Sequence, residues 1–159
     1  MGISKDDGNG KPQYSARDLA EIYQSRGKEI FSRSLWKGVS SVGGLTDELY
    51  SHKGIDRVLD EYFGDAPIGS GLTKTLITSY DIHRREPVFF KSWREEYRSV
   101  LMKHAARATS AAPTYFEPAL IPIGGVDRAL IDGGVFMNSP SVSAYAEAKK
   151  IFGDSEEFF

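Results

Sequence analysis

The sequence predicts a domain that mixes helices and strands, of α/β or α+β class, and three observations lead there. Four segments, near residues 15–27, 55–64, 95–109 and 139–151, read as helices, by apolar spacing or by their end signals. Between them lie two pairs of β-rich runs, 75–80 with 88–90 and 119–123 with 129–131. The chain has 159 residues, 40% of them apolar and 26% charged, which is the size and balance of one ordinary core.

Residues 1–14 are polar, with Gly8, Gly10 and Pro12 as breakers, and read as a loop or mobile arm. Ser15 with Asp18 three residues on forms a capping-box start. The helix it opens places Leu19, Ile22 and Tyr23 on one face and should stop near Gly27. Residues 32–50 are rich in Ser and Gly and read as a connecting loop. Ile55, Val58, Leu59 and Tyr62 come next at i, i+3, i+4, i+7, with Gly64 as a stop and Asp56, Asp60 and Glu61 off the stripe.

The period then changes. Thr75–Tyr80 and Val88–Phe90 flank the charged turn Arg84-Arg85-Glu86-Pro87 and read as neighbouring strands. A helix over 95–109 carries Val100, Leu101, His104, Ala105 and Ala108 on one side, and Pro113 breaks what remains of it. Two short strands bracket the turn at Gly124-Gly125-Val126-Asp127. Ser139 as N-cap and Pro140 at the first position open a last helix, with Lys149 and Lys150 at its negative end.

Composition removes several function classes. The net charge of −2 does not match a nucleic-acid-binding domain, and the absence of cysteine excludes disulfides, thiolate zinc sites and thiol catalysis. His52, His83 and His104 are too dispersed for a metal site, and no cofactor is implied. No apolar run approaches the ~20 residues of a membrane span, and the start is too polar for a signal peptide. Asp6 stands where a myristoylation motif needs Ser or Thr. A soluble, cytoplasmic protein is the expectation.

The chemistry concentrates at Leu130-Ile131-Asp132-Gly133-Gly134-Val135-Phe136-Met137-Asn138-Ser139-Pro140. Asp132 ends an apolar strand just before two glycines, on a turn where backbone can approach a substrate closely. A carboxylate there can orient or deprotonate a nucleophile. It can equally cap its own turn, and spacing alone leaves both readings open. Gly133→Val is expected to harm the site, because a β-branched residue resists the backbone geometry such turns often use. One carboxylate without a lysine at P-loop spacing makes a poor phosphate or metal site.

These residues resemble a known family. Asp132-Gly133-Gly134 with Asn138 and Pro140 is similar to the Asp-Gly-Gly box of patatin-like phospholipases. Ala106–Phe116 resembles the Ala-rich helix and Pro-Tyr-Phe exit that precede that box. Tyr80-Asp81, with Arg85 to Phe90, resembles the family's central strand pair, and Gly27 to Phe31 an earlier helix exit. The likeness runs from about Ser15 to Phe152. It implies a three-layer α/β/α fold, incomplete here, and ester hydrolysis by a Ser–Asp dyad. In that scheme serine attacks the carbonyl, Asp132 takes its proton, and water releases the fatty acid. Gly133 and Gly134 support the motif.

The family's nucleophile lies in Gly-x-Ser-x-Gly, and this chain has none. Gly2-Ile3-Ser4-Lys5-Asp6 fails at its last position, and Ser40 and Ser41 each lack one glycine. In the family's order the serine would precede Met1, so the chain is expected to correspond to the C-terminal part of the domain. The resulting division is an arm at 1–14, a partial patatin-like domain at 15–152 and an acidic tail at 153–159. Such a part should show little catalysis alone and expose edges through which it could pair with itself. The alternative is a non-catalytic lipid-binding or protein-interaction module. Expected partners are a lipid or acyl ester and no nucleic acid. Residues 84–107 hold seven Lys/Arg against three Glu, with Phe89, Phe90 and Trp93 interleaved. They read first as a solvated helix face and second as a peripheral membrane contact.

Overall fold

A computed structural model describes residues 2–31 and 50–153. The loop expected over 32–50, apart from Tyr50, and the tail beyond Gly153 lie outside the described residues. In chain order the elements are α1 (Ala16–Ile30), α2 (His52–Phe63), β1 (Leu76–Asp81), β2 (Glu86–Lys91), α3 (Glu95–Arg98), α4 (Met102–Thr109), β3 (Ala119–Ile123), β4 (Val126–Asp132) and α5 (Ser141–Phe152).

The N-terminal stretch is irregular but docked. Asp6 bridges to Pro12, the Lys5 ammonium donates to the Tyr62 carbonyl at 2.6 Å, and the Tyr14 hydroxyl donates to the same oxygen at 3.2 Å. Ser15 caps α1 with both halves of the capping box present. The helix runs through Gly27 to Ile30 rather than stopping there. Ile30 is buried against Ile55, Val58 and Phe116, and that packing outweighs the low helix propensity of one glycine. Gly64, at φ 52°, closes α2 as expected.

The expected helix over 95–109 is two. α3 is a single turn, and Leu101 then adopts extended geometry before α4 begins. The interruption has partners: the Ile68 N–H donates to the Val100 carbonyl at 2.8 Å, and the Met102 N–H donates to the Ala66 carbonyl at 2.8 Å. These bonds make it cheaper to break the helix than to continue it. At α5 the cap shifts by one residue. Pro140 occupies the N-cap position, and the Ser139 hydroxyl lies 3.0 Å from that of Ser141 instead of capping the helix.

The four strands form an antiparallel sheet in the order β2-β1-β4-β3. β1 and β2 are the expected hairpin, with Ser79 opposite Val88. β3 and β4 join through Gly124-Gly125, both at positive φ (61° and 80°), a two-residue turn that only glycine adopts without strain. One sheet face presents Ile77, Val88, Phe90, Leu130 and Ile121 to Met102, Ala105 and Ala108 of α4. Alternate residues point the other way. There Tyr80 and Phe89 meet the Phe136 ring at 6.0 and 5.8 Å, and Lys91 pairs with Glu147 of α5 at 3.3 Å. Helices therefore flank both faces, the α/β layering expected. The two sides are unequal, since α5 buries none of its residues.

Asp81 and Arg128, 1% and 5% exposed in their side chains, form a buried pair at 2.6 Å inside the sheet. Arg128 also reaches Glu86 at 2.5 Å, and Asp81 accepts the His83 and Arg84 backbone N–H groups at 2.9 Å each. Both carboxylate oxygens of Asp81 and two of the three Arg128 nitrogens are thereby bonded, which helps such a buried charge pair to be tolerated.

Candidate active site

Asp132 is the last residue of β4, and hydrogen bonds fix the turn on its C-terminal side. Its N–H donates to the Ala111 carbonyl at 3.0 Å, which ties the strand end to the exit of α4. Its Oδ1 accepts the Gly134 N–H at 2.8 Å. Gly133–Val135 then form a single 3-10 turn, and the Phe136 and Met137 N–H groups return to the Gly133 carbonyl at 3.2 and 2.9 Å. The Asp132 side chain is half-buried. Asp132 thus does cap its own turn, and the same bond fixes the orientation of the carboxylate.

The two glycines serve this turn in different ways. A Cβ at Gly133 would lie 2.4 Å from Thr78 Oγ1 and 2.6 Å from the Thr78 carbonyl carbon, so the turn sits directly on β1. Gly133 is not among the glycines at positive φ. The expectation that unusual backbone geometry fixes this position is therefore corrected: the close approach to β1 fixes it. A Cβ at Gly134 would stand 3.3 Å from Asp132 Oδ1, a tighter fit than usual but one that small movements can relieve.

Asp132 lines a cavity of about 290 Å3 together with Leu76, Ile77, Thr78, Thr109, Met137, Asn138 and Pro140. Asn138 and Pro140, singled out with the motif, are thus gathered at it. None of the three histidines lines it: His52 pairs with Glu117, His83 sits in the β1–β2 turn, and His104 lies on α4, where burial pushes its pKa down. The serine directly across from Asp132 in the sheet is Ser79. It is fully buried and its hydroxyl donates to the Ile131 carbonyl at 2.6 Å, so it is not presented as a nucleophile. What remains is a fixed carboxylate beside a small polar space, suited to accept a proton from a group brought to it.

The sequence reading did not find Thr78 or Thr109, which come from β1 and the end of α4. Strand alternation places Thr78, but nothing local brings Thr109 within reach of residue 132. Arg84, Lys91, Arg98, Lys103 and Arg107 of the basic stretch are each paired with a carboxylate, Lys103 with both Asp60 and Asp65. The stretch is not one solvated helix face, since Arg107 is buried and Lys91 lies on β2. No helix among the described residues is long and apolar enough to cross a membrane.

A sheet flanked by helices, with an aspartate on a glycine turn at a strand end, defines an α/β domain. The patatin-like phospholipase family model matches residues 9–145, and the chain belongs to that family. It is 29% identical over 163 residues to patatin-like protein 2 of Oryza sativa subsp. indica, a match covering 94% of this chain and 40% of that protein. It is 30% identical over 139 residues to patatin-like protein 4 of Arabidopsis thaliana, covering 84% and 35%. A Solanum tuberosum protein described as probable inactive patatin-3-Kuras 1 is 28% identical over 158 residues, covering 94% and 40%. The chain thus spans about 40% of the length of the first of these relatives.

Proposed function

We propose that this chain is part of a lipid acyl hydrolase that cleaves fatty acyl esters through a Ser–Asp dyad, with Asp132 as its base. The observation that supports this best is the carboxylate held by the Gly134 N–H at the edge of the 290 Å3 cavity, within a chain of the patatin-like phospholipase family. In the proposed reaction a serine hydroxyl supplied by another segment attacks the ester carbonyl and passes its proton to Asp132. The leaving alcohol takes that proton up. Water then attacks the acyl-serine, Asp132 takes its proton and returns it to the departing serine oxygen, and the fatty acid is released. Without the serine and its oxyanion donors this chain alone turns over little ester, because such groups act as a unit.

The test uses a polypeptide that also carries the Gly-x-Ser-x-Gly segment. Asp132→Ala is expected to lower kcat on a p-nitrophenyl acyl ester by roughly 10⁴- to 10⁶-fold, the range seen when single members of a catalytic triad are removed, with an unchanged circular dichroism spectrum. Turnover within a few-fold of the parent would refute the dyad. The second reading is a non-catalytic lipid-binding or interaction module. It is favoured by a relative whose name marks it as probably inactive.

A further inference from the structure

The loop before α1 carries chemistry of its own, remote from the Asp132 turn. It closes on itself: Asp6 bridges to Pro12, the Asp7 N–H donates to the Lys11 carbonyl at 2.9 Å, and the Gln13 N–H donates to the Lys5 carbonyl at 2.8 Å. Lys5 and Tyr14 fasten its base to α2 through the Tyr62 carbonyl. None of these bonds uses the Asn9 side chain. The tip, Gly8-Asn9-Gly10, is exposed. Asparagine is a thermolabile residue, and a glycine after it removes the side chain that would obstruct attack by the next backbone nitrogen. Gly10 sits at φ 77°, and a Cβ built there would meet nothing within 4 Å, so the approach to its nitrogen is uncrowded. The Gly10 N–H donates to Asp6 Oδ1 at 2.9 Å, which sets a carboxylate in place to take its proton.

We propose that Asn9 and Gly10 form a self-acting modification site, which converts the asparagine to aspartate and isoaspartate in the folded protein. The Gly10 nitrogen passes its proton to Asp6 and bonds to the side-chain carbonyl carbon of Asn9. The bond from that carbon to Nδ2 breaks, Asp6 returns the proton, and the amide nitrogen leaves as ammonia. A succinimide ring remains, and one water opens it. Opening at the side-chain carbonyl gives aspartate, and opening at the backbone carbonyl gives isoaspartate. Either product adds a negative charge beside Asp6 and Asp7, and isoaspartate also lengthens the backbone by one methylene at the loop tip. The site involves neither Asp132 nor any ester, so its test and the hydrolysis test stand or fall separately.

The test incubates the purified 159-residue chain at neutral and at mildly alkaline pH and follows the tryptic peptide from Asp6 to Arg17 by mass spectrometry. A gain of about one dalton located at Asn9 is expected, faster at the higher pH, and the product should accept a methyl group from a protein isoaspartate methyltransferase. Asn138, the chain's other asparagine, is followed by Ser139 and should keep its mass over the same time. Isomerisation at Asp7-Gly8 leaves the mass unchanged, so it is not mistaken for this reaction. A synthetic peptide of residues 6–17 gives the rate without the fold, and the folded chain should react within a few-fold of it. Asn9→Gln should abolish the gain at residue 9, because its longer side chain closes a larger ring far more slowly. A folded chain that reacts more than ten-fold slower than the peptide overturns the inference. So does equal reaction at Asn138, or a mass gain that appears only as the near-ultraviolet circular dichroism of the folded chain is lost.

Discussion

A methyl group added at position 133 would press on the backbone and side chain of Thr78 at once, and neither is the far end of a flexible chain. Gly133→Ala should therefore cost about 1–3 kcal/mol, the usual range for forced overpacking, and Gly133→Val more. Gly134→Ala faces a single contact at 3.3 Å and should cost less than Gly133→Ala. Urea denaturation of the two alanine variants checks the order, and equal midpoints would contradict it. The Asp-Gly-Gly box was legible in the sequence because strand end, carboxylate and turn glycines are adjacent there. The reason for Gly133 was not legible, because Thr78 lies 55 positions away in the chain and only the pairing of β1 with β4 brings it near.

At the scale of elements, local signals and packing divide the outcome. The capping box of α1 is a local signal and stands: Ser15 Oγ accepts the Asp18 N–H at 3.2 Å, and Ser15→Ala should cost ~1 kcal/mol. Gly27 and the segment around Leu101 gave local signals that tertiary contacts override, one extending a helix and the other breaking it. The Asp81–Arg128 pair joins β1 to β4. Burial pushes the Asp81 pKa up, but the Arg84 N–H, the Arg128 guanidinium and the His83 N–H outweigh it and hold the carboxyl below its usual 3.8. A carboxyl depressed in the folded state contributes stability that is complete above its ordinary pKa and lost as the pH falls toward the folded value. Asp81→Ala should cost about 3 kcal/mol at neutral pH, the low end of the range for breaking a buried pair, because Arg128 loses one carboxylate but keeps Glu86. Asp81→Asn should show a shallower loss of stability below about pH 4 than the parent. A parallel acid limb in urea melts of the two proteins would contradict the assignment.

Across the whole molecule, the two helical layers are held very differently. α4 is built into the main core, with Met102, Ala105 and Ala108 each at most 1% exposed, whereas Val142 of α5 is 81% exposed and Tyr145 47%. Amide hydrogen exchange should therefore rank α5 well ahead of β1, β4 and α4, and equal protection of α5 and α4 would contradict this. The fold class, the two strand pairs and most helices were legible because periodicity and turn residues are local.

The hydrogen bond between the Asp132 N–H and the Ala111 carbonyl has a mechanical consequence. It joins the strand end to the helix exit, so a shift of the end of α4 is transmitted directly to the backbone that carries the Asp132 carboxylate.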